Sequence, residues 1–271
     1  MGGRGLAVVT GASSGLGRAY AESLAAAGHR LLVAARREDR LLELADRMAR
    51  KHGTVTEVVV CDLATDEGLA ACRAAISDAG EPPEVVVLNA GIGSSGPLWR
   101  LDRERESRIV RLNCLAVVDL AAHVLPAMVA RGHGAVVVVS SAAAWQPVPF
   151  MATYAASKVF ELSFAEAIGE ELRGTGVRAI AVCPGPTRTE FSTTGGEGAG
   201  TSWSVPLDDP AMVVRATWRA LARGRRRVPT GAVARTTAAI ARFVPKALVL
   251  RGAAATHRAP RRLKEMRRRP S

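Results

Sequence analysis

The chain has 271 residues, 48% of them hydrophobic, which suits one large α/β domain with a full core better than two domains. Its formal charge is +12, yet 17 Lys or Arg stand against Glu265 alone after residue 210, so the basicity belongs to the carboxyl end, where Phe243 is the only aromatic after Trp218 that could stack a base and nucleic acid therefore ranks below a membrane as partner. Cys61, Cys72, Cys114 and Cys183 have no C-x-x-C spacing and the five histidines are scattered, which argues against a zinc site or a disulfide framework and for a reducing cytoplasm.

The amino terminus enters a strand at residues 6–10, leaving no room for a cleaved leader, and no apolar run is expected to span a bilayer. Gly11, Ser13, Ser14, Gly15, Leu16 and Gly17 then form a turn into a helix that runs to about residue 27 and stops at Gly28. Glycines at such a junction let the backbone approach a pyrophosphate, which the helix amino terminus favours through its free N–H groups and dipole. A second strand, 30–35, ends in Ala35-Arg36-Arg37, where an NAD enzyme usually carries an acid for the ribose 2′-hydroxyl. Arg36 is instead placed to pair with a 2′-phosphate, so NADP is the expected cofactor.

A third strand, 55–61, leads to Asp62-Leu63, where Asp62 could cap a helix starting near Thr65. A fourth, 84–88, runs into Asn89-Ala90-Gly91, and the helix after Asp102 contains Asn113. The valine run 136–139 looks like a buried parallel strand ending in Ser140-Ser141, at the carboxyl end of the sheet where open α/β proteins bind ligands. After a loop with Pro147 and Pro149, residues 153–172 have helical periodicity, which puts Tyr154 and Lys158 one turn apart on one face. A sixth strand, 177–182, leads into Pro184, Gly185, Thr187 and Thr189, and the glycine-rich stretch that follows reads as a substrate lid over about 187–210. A helix at 206–222 and an edge strand at 228–231 close the pattern.

Alternating strands and helices of this kind imply a doubly wound parallel sheet in a single domain, 1–231. Residues 232–271 form a separate extension. They begin as an amphipathic segment with Arg235, Arg242 and Lys246 opposite Ile240, Phe243, Val244 and Leu248, kinked at Pro245, and end in a basic tail expected to be disordered from about residue 258.

The T-G-x-x-x-G-x-G turn at 10–17, the N-A-G at 89–91 and the spacing of Ser141, Tyr154 and Lys158 together resemble the short-chain dehydrogenase/reductase family over about residues 5–230. The resemblance implies a Rossmann fold and reversible hydride transfer between NADP(H) and a ketone or secondary alcohol. By the same resemblance, Tyr154 is the acid/base and Lys158 bonds the nicotinamide ribose and lowers the phenol's pKa. Ser141 holds the substrate oxygen, and Asn113 distorts its helix and holds a proton-relaying water. Gly11, Ser13, Ser14, Gly15, Leu16, Gly17, Arg36, Asp62, Leu63, Asn89, Ala90 and Gly91 become cofactor-binding candidates, with Asp62-Leu63 at the adenine. Pro184, Gly185, Thr187 and Thr189 join them, the Thr187 backbone at the carboxamide and the Thr189 hydroxyl at the phosphates.

A catalytically silent dinucleotide-binding regulator is the competing reading, since fold alone does not confer turnover. Trp145, Phe150, Met151, Phe191 and Trp203 are expected to line an apolar substrate pocket, which leaves the substrate itself open. The resemblance also implies a homodimer or homotetramer. The extension's basic, amphipathic character suggests peripheral contact with an anionic membrane.

Overall fold

In the computed structural model, which describes residues 4–191 and 207–244 together with Leu250, the β-branched runs of the sequence become the strands of one sheet. They are β1 (Arg4–Thr10), β2 (His29–Ala35), β3 (Thr56–Val60), β4 (Val85–Leu88), β5 (Gly134–Val139), β6 (Val177–Pro184) and β7 (Arg227–Thr230). Every neighbouring pair is parallel, and the order is β3-β2-β1-β4-β5-β6-β7. The chain reverses its direction of travel across the sheet between β1 and β4, which opens a crevice at their carboxyl ends.

Helices cover both faces: α1 (Gly15–Ala26), α2 (Glu38–His52), α3 (Asp66–Asp78), α4 (Arg103–Val110), α5 (Ala116–Arg131), α6 (Ala152–Glu171), α7 (Pro210–Ala222) and α8 (Gly231–Phe243). Side chains alternate along each strand, so β5 sends Val136 and Val138 into one core with Leu120 and Leu162, and Val137 and Val139 into the other with Tyr20 and Val213. Burying both faces is what requires an almost uninterrupted valine run. On the second face, Tyr20 of α1 stands edge-on to Trp218 of α7 at 5.6 Å and its hydroxyl meets Thr217 Oγ1 at 2.7 Å.

Several sequence expectations need adjustment. The helix expected from residue 206 begins at Pro210, because Asp209 caps it through a bond from the Ala211 N–H at 3.0 Å and Asp208 pairs with Thr187 instead. The continuous helix Arg103–Arg131 contains a stretch long and apolar enough to cross a membrane, contrary to the expectation of no such run. Its apolar face, including Leu112, Val117, Leu120, Val124 and Met128, belongs to the core, while Asp119 on the other side pairs with Arg73 at 2.6 Å. The extension is not wholly separate either, since Ala234 of α8 is completely buried. This helix ends at Phe243, with Val244 extended as a pre-proline residue prefers, and the expected kink at Pro245 lies outside the described residues. Lys246, Leu248, the tail expected to be disordered, and the side chains of Arg242 and Phe243 lie outside the described residues.

Candidate active site

The crevice is a cleft of about 840 Å³ at the carboxyl ends of β1, β2, β4, β5 and β6. One wall is the glycine turn. Gly11 and Gly15 take φ of +65° and +55°, a region that side chains disfavour. Gly17 does not line the cleft; a Cβ there would stand 2.3 Å from the Gly11 carbonyl oxygen, so it allows α1 to pack against the turn. Ser14 occupies the N-cap without a side-chain capping bond, which leaves the first N–H groups of α1 free for an anion. Ser13, Ser14, Gly15 and Leu16 all line the cleft.

Thr10 holds this turn to β4. Its hydroxyl donates to Val87 O at 3.3 Å and accepts from the N–H groups of Asn89 at 3.0 Å and Ala90 at 3.1 Å. Asn89 completes the brace, its amide donating to Thr10 O at 2.9 Å and Gly11 O at 3.3 Å.

At the end of β2, Arg36 is exposed on the cleft rim. Its neighbour Arg37, which the sequence reading left unassigned, is built into the wall: it donates to Ser13 Oγ at 3.1 Å and to Glu190 at 2.8 Å. Asp62 and Leu63 form the next edge. Asp62 does not cap α3; Thr65 does, accepting from Gly68 N at 3.0 Å. The Asp62 carboxylate accepts from Ala64 N at 3.0 Å and pairs with Arg108, and although burial raises it, these partners hold it below the usual carboxylate range.

Across the cleft, Thr189 packs over the glycine turn, its side chain 2.9 Å from where a Cβ on Gly15 would be. Pro184, Gly185 and Thr187 continue that wall. Arg188 N donates to Asp208 O at 3.0 Å and Asp208 N to Pro186 O at 2.8 Å, which ties together the two described ends of the expected lid over about 187–210, whose residues 192–206 lie outside the described residues. Of the five expected substrate-pocket residues, Phe191 lines the cleft, 5.5 Å from the Tyr154 ring centroid. Trp145 instead packs against the core with Arg227 over its ring at 5.3 Å, Phe150 and Met151 sit in the adjoining loop, and Trp203 lies outside the described residues. Gly93, which drew no attention in the sequence, is a close neighbour of the phenol: a Cβ there would stand 3.1 Å from the Tyr154 ring and 3.2 Å from Phe191.

Ser141, Tyr154 and Lys158 meet at the cleft floor. The Ser141 hydroxyl lies beside the Tyr154 phenol, whose pKa it lowers, and accepts from Ala143 N at 3.1 Å. Ser140 ties β5 to α6 by donating to Lys158 O at 2.7 Å. Asn113 is fully buried outside the cleft lining, in a π-helical turn at Arg111–Leu115 between α4 and α5, so the expected distortion is present. Its amide accepts from Ile92 N at 3.1 Å and donates to Ile92 O and Ser157 Oγ. Gly91 leaves open the space between its Oδ1 and Lys158 Nζ, each 3.3 Å from where a Cβ would be.

The largest departure from expectation is Glu161. It is 1% exposed and receives Lys158 Nζ at 2.9 Å on both carboxylate oxygens, while Val139 O accepts the third bond at 3.1 Å. Burial lowers Lys158, but Glu161 and Tyr154 outweigh it and hold the ammonium above its ordinary value. Burial raises Glu161 to about 7 in spite of Lys158. Tyr154 is also raised rather than lowered: burial dominates, Lys158 and the Ser141 hydrogen bond oppose it, and Glu161 adds to it. The signal for Glu161 was present in the sequence, because it falls three residues after Lys158 on the face that also carries Leu162, Ala165 and Ile168.

Residues 5–199 match the short chain dehydrogenase family model. An uncharacterized oxidoreductase of Myxococcus xanthus is 40% identical over 69% of this chain and 74% of its own length. A very-long-chain 3-oxoacyl-CoA reductase of Pyricularia oryzae is 36% identical over 63% of this chain, a match that spans only 53% of that relative. Among solved structures, a short-chain dehydrogenase from Sphingobium yanoikuyae in complex with NADPH superposes with a TM-score of 0.78 at 31% identity, covering 83% of this chain and 87% of that one. Glycine turn, braced N-A-G and Ser-Tyr-Lys floor thus agree with sequence kinship, and the chain belongs to the short-chain dehydrogenase family of nicotinamide-dinucleotide oxidoreductases acting on CH–OH and C=O groups.

Proposed function

We propose that this protein is an NADP(H)-dependent reductase that interconverts an apolar ketone and its secondary alcohol. The observation that carries the reading is the meeting of Ser141, Tyr154 and Lys158 at the floor of a cleft whose far rim bears Arg36 and Arg37. Gly11, Ser13, Ser14, Gly15, Leu16, Ala90, Gly91, Pro184, Gly185, Thr187 and Thr189 would hold the cofactor backbone, Asp62 and Leu63 its adenine, and Arg36 a 2′-phosphate. The bound cofactor would supply the hydride to the carbonyl carbon. Tyr154 donates the proton to the carbonyl oxygen, Ser141 holds that oxygen as charge develops, and Lys158 carries the positive charge that opposes the effect of burial on the phenol and favours its ionisation. Asn113 acts from behind, fixing Ile92 and α6 around Lys158.

An apolar substrate is supported by Ile92, Leu112 and Phe191 on the cleft walls and by the long-chain substrate in the name of the Pyricularia relative. Exposed Val110, Leu115, Val159 and Phe160 on the α4, α5 and α6 side support a homodimer or homotetramer. We place the enzyme in the cytoplasm, with residues 232–271 in contact with an anionic membrane.

A panel of ketones assayed for NADPH and NADH oxidation tests this reading. Tyr154→Phe should lower kcat by about 10²–10⁴-fold while NADPH still binds. Cofactor binding with no carbonyl reduced by the unmodified protein would instead support the silent dinucleotide binder.

A further inference from the structure

We propose that Glu161 is a positioning residue that carries the counter-charge of Lys158, holds its ammonium against β5, and so keeps Tyr154 a phenol to higher pH than the lysine alone would allow. This rests on the assignment of Tyr154 as proton donor. Lys158 has three N–H groups, and all three are engaged, two by the Glu161 oxygens at 2.9 Å and one by Val139 O at 3.1 Å. The ammonium therefore reaches a ligand in the cleft only by releasing one of these bonds, to Glu161 or to Val139 O. Glu161 lies outside the cleft lining and has Lys158 as its hydrogen-bond partner, so its influence on the reaction passes through that lysine and through its own field.

Stability does not explain the carboxylate. A buried ion pair is generally no better for stability than apolar side chains of similar volume, and the surrounding α6 face is apolar. What the carboxylate changes is the charge seen by the phenol. Lys158 Nζ stands 5.8 Å from the Tyr154 ring centroid, and Glu161 places a compensating negative charge 2.9 Å from that nitrogen.

The ionisable groups facing Glu161 are Lys158 and Tyr154 from α6, Cys114 from the π turn and Cys183 from β6. Burial pushes Cys114 up to about 11 and Cys183 up to about 12, so both thiols are neutral wherever the enzyme works. Glu161, raised to about 7, is the group that changes charge there. Below that pH Lys158 acts on Tyr154 unopposed, and above it the two charges offset each other.

The test is a tyrosinate titration by near-ultraviolet difference absorbance on the cofactor-free full chain. Tyr20 and Tyr154 are its two tyrosines, Tyr20 is driven far up by burial, and Tyr154→Phe identifies the remaining transition. In Glu161→Gln, at a fixed pH below the midpoint, Tyr154 should be ionised about threefold more or beyond, and Glu161→Asp should return it toward the unmodified level. An unchanged or smaller tyrosinate fraction in Glu161→Gln overturns the proposal. If Glu161→Gln does not fold, Glu161→Leu serves the same measurement, and loss of fold in both overturns it by making the carboxylate structural. The titration needs no substrate, so its failure is distinct from a failure of Tyr154→Phe to abolish turnover.

Discussion

Replacing Lys158 and Glu161 together, by Met and Leu, should leave the fold as stable as before or more so, although either change alone should damage it. At 2.9 Å and an effective dielectric constant near 20, the two charges attract by about 6 kcal/mol. Against this stands a desolvation penalty of roughly several kcal/mol for each ion. For the carboxylate, burial outweighs Lys158 and raises Glu161 from 4.5 to about 7, so its charged form is the disfavoured one. Single replacements should therefore cost about 3–5 kcal/mol each by leaving an uncompensated buried charge, and the double replacement should be neutral or stabilising by up to about 4 kcal/mol. Urea unfolding of the four proteins at pH 8, followed by far-ultraviolet circular dichroism, completes the cycle. The same experiment repeated with pH has a definite sign. The folded chain keeps the Glu161 proton up to about 7, whereas the unfolded chain releases it near 4.5, so stability from this group falls as pH rises through that window. Glu161→Leu should remove that slope. A double variant as unstable as the sum of the singles would refute the reasoning.

Three further outcomes are expected. Arg36→Ala should weaken NADPH binding by about 10- to 150-fold, the range for a charge-assisted pair, and change NADH binding little in a fluorescence titration; equal losses would make Arg36 structural. Gly17→Ala, which sets a methyl group 2.3 Å from the Gly11 carbonyl oxygen, should lower the unfolding free energy by about 1–3 kcal/mol and weaken both cofactors alike, whereas unaltered cofactor binding would show that the turn tolerates displacement. Co-sedimentation with anionic vesicles should capture the full chain at low salt, each engaged basic residue contributing about 1 kcal/mol, and release it at high salt; a full chain that stays in the supernatant at low salt ends the membrane reading.

Periodicity and punctuation were enough to place most elements. The valine runs, Gly28 after α1 and the one-turn spacing of Tyr154 and Lys158 needed no tertiary information, because strand pleat and helix pitch are local properties. The start of α7 was misplaced because Asp208 bridges Thr187, a partner 21 residues away that no local pattern reveals. Asp62 was left with two roles for a similar reason, and Thr65 took the cap.

The sequence by itself determined the doubly wound sheet and the family, since each of these follows from local pattern and from motifs whose spacing is rigid. Tertiary structure alone decided the electrostatics at the cleft floor. A lysine three residues before a glutamate on a helix is ordinarily a solvated pair worth a few tenths of a kcal/mol, roughly. Only the packing of α6 against β5 and the π turn removes water from both groups, and that is what turns Lys158 and Glu161 into a buried pair and drives the Tyr154 phenol up rather than down.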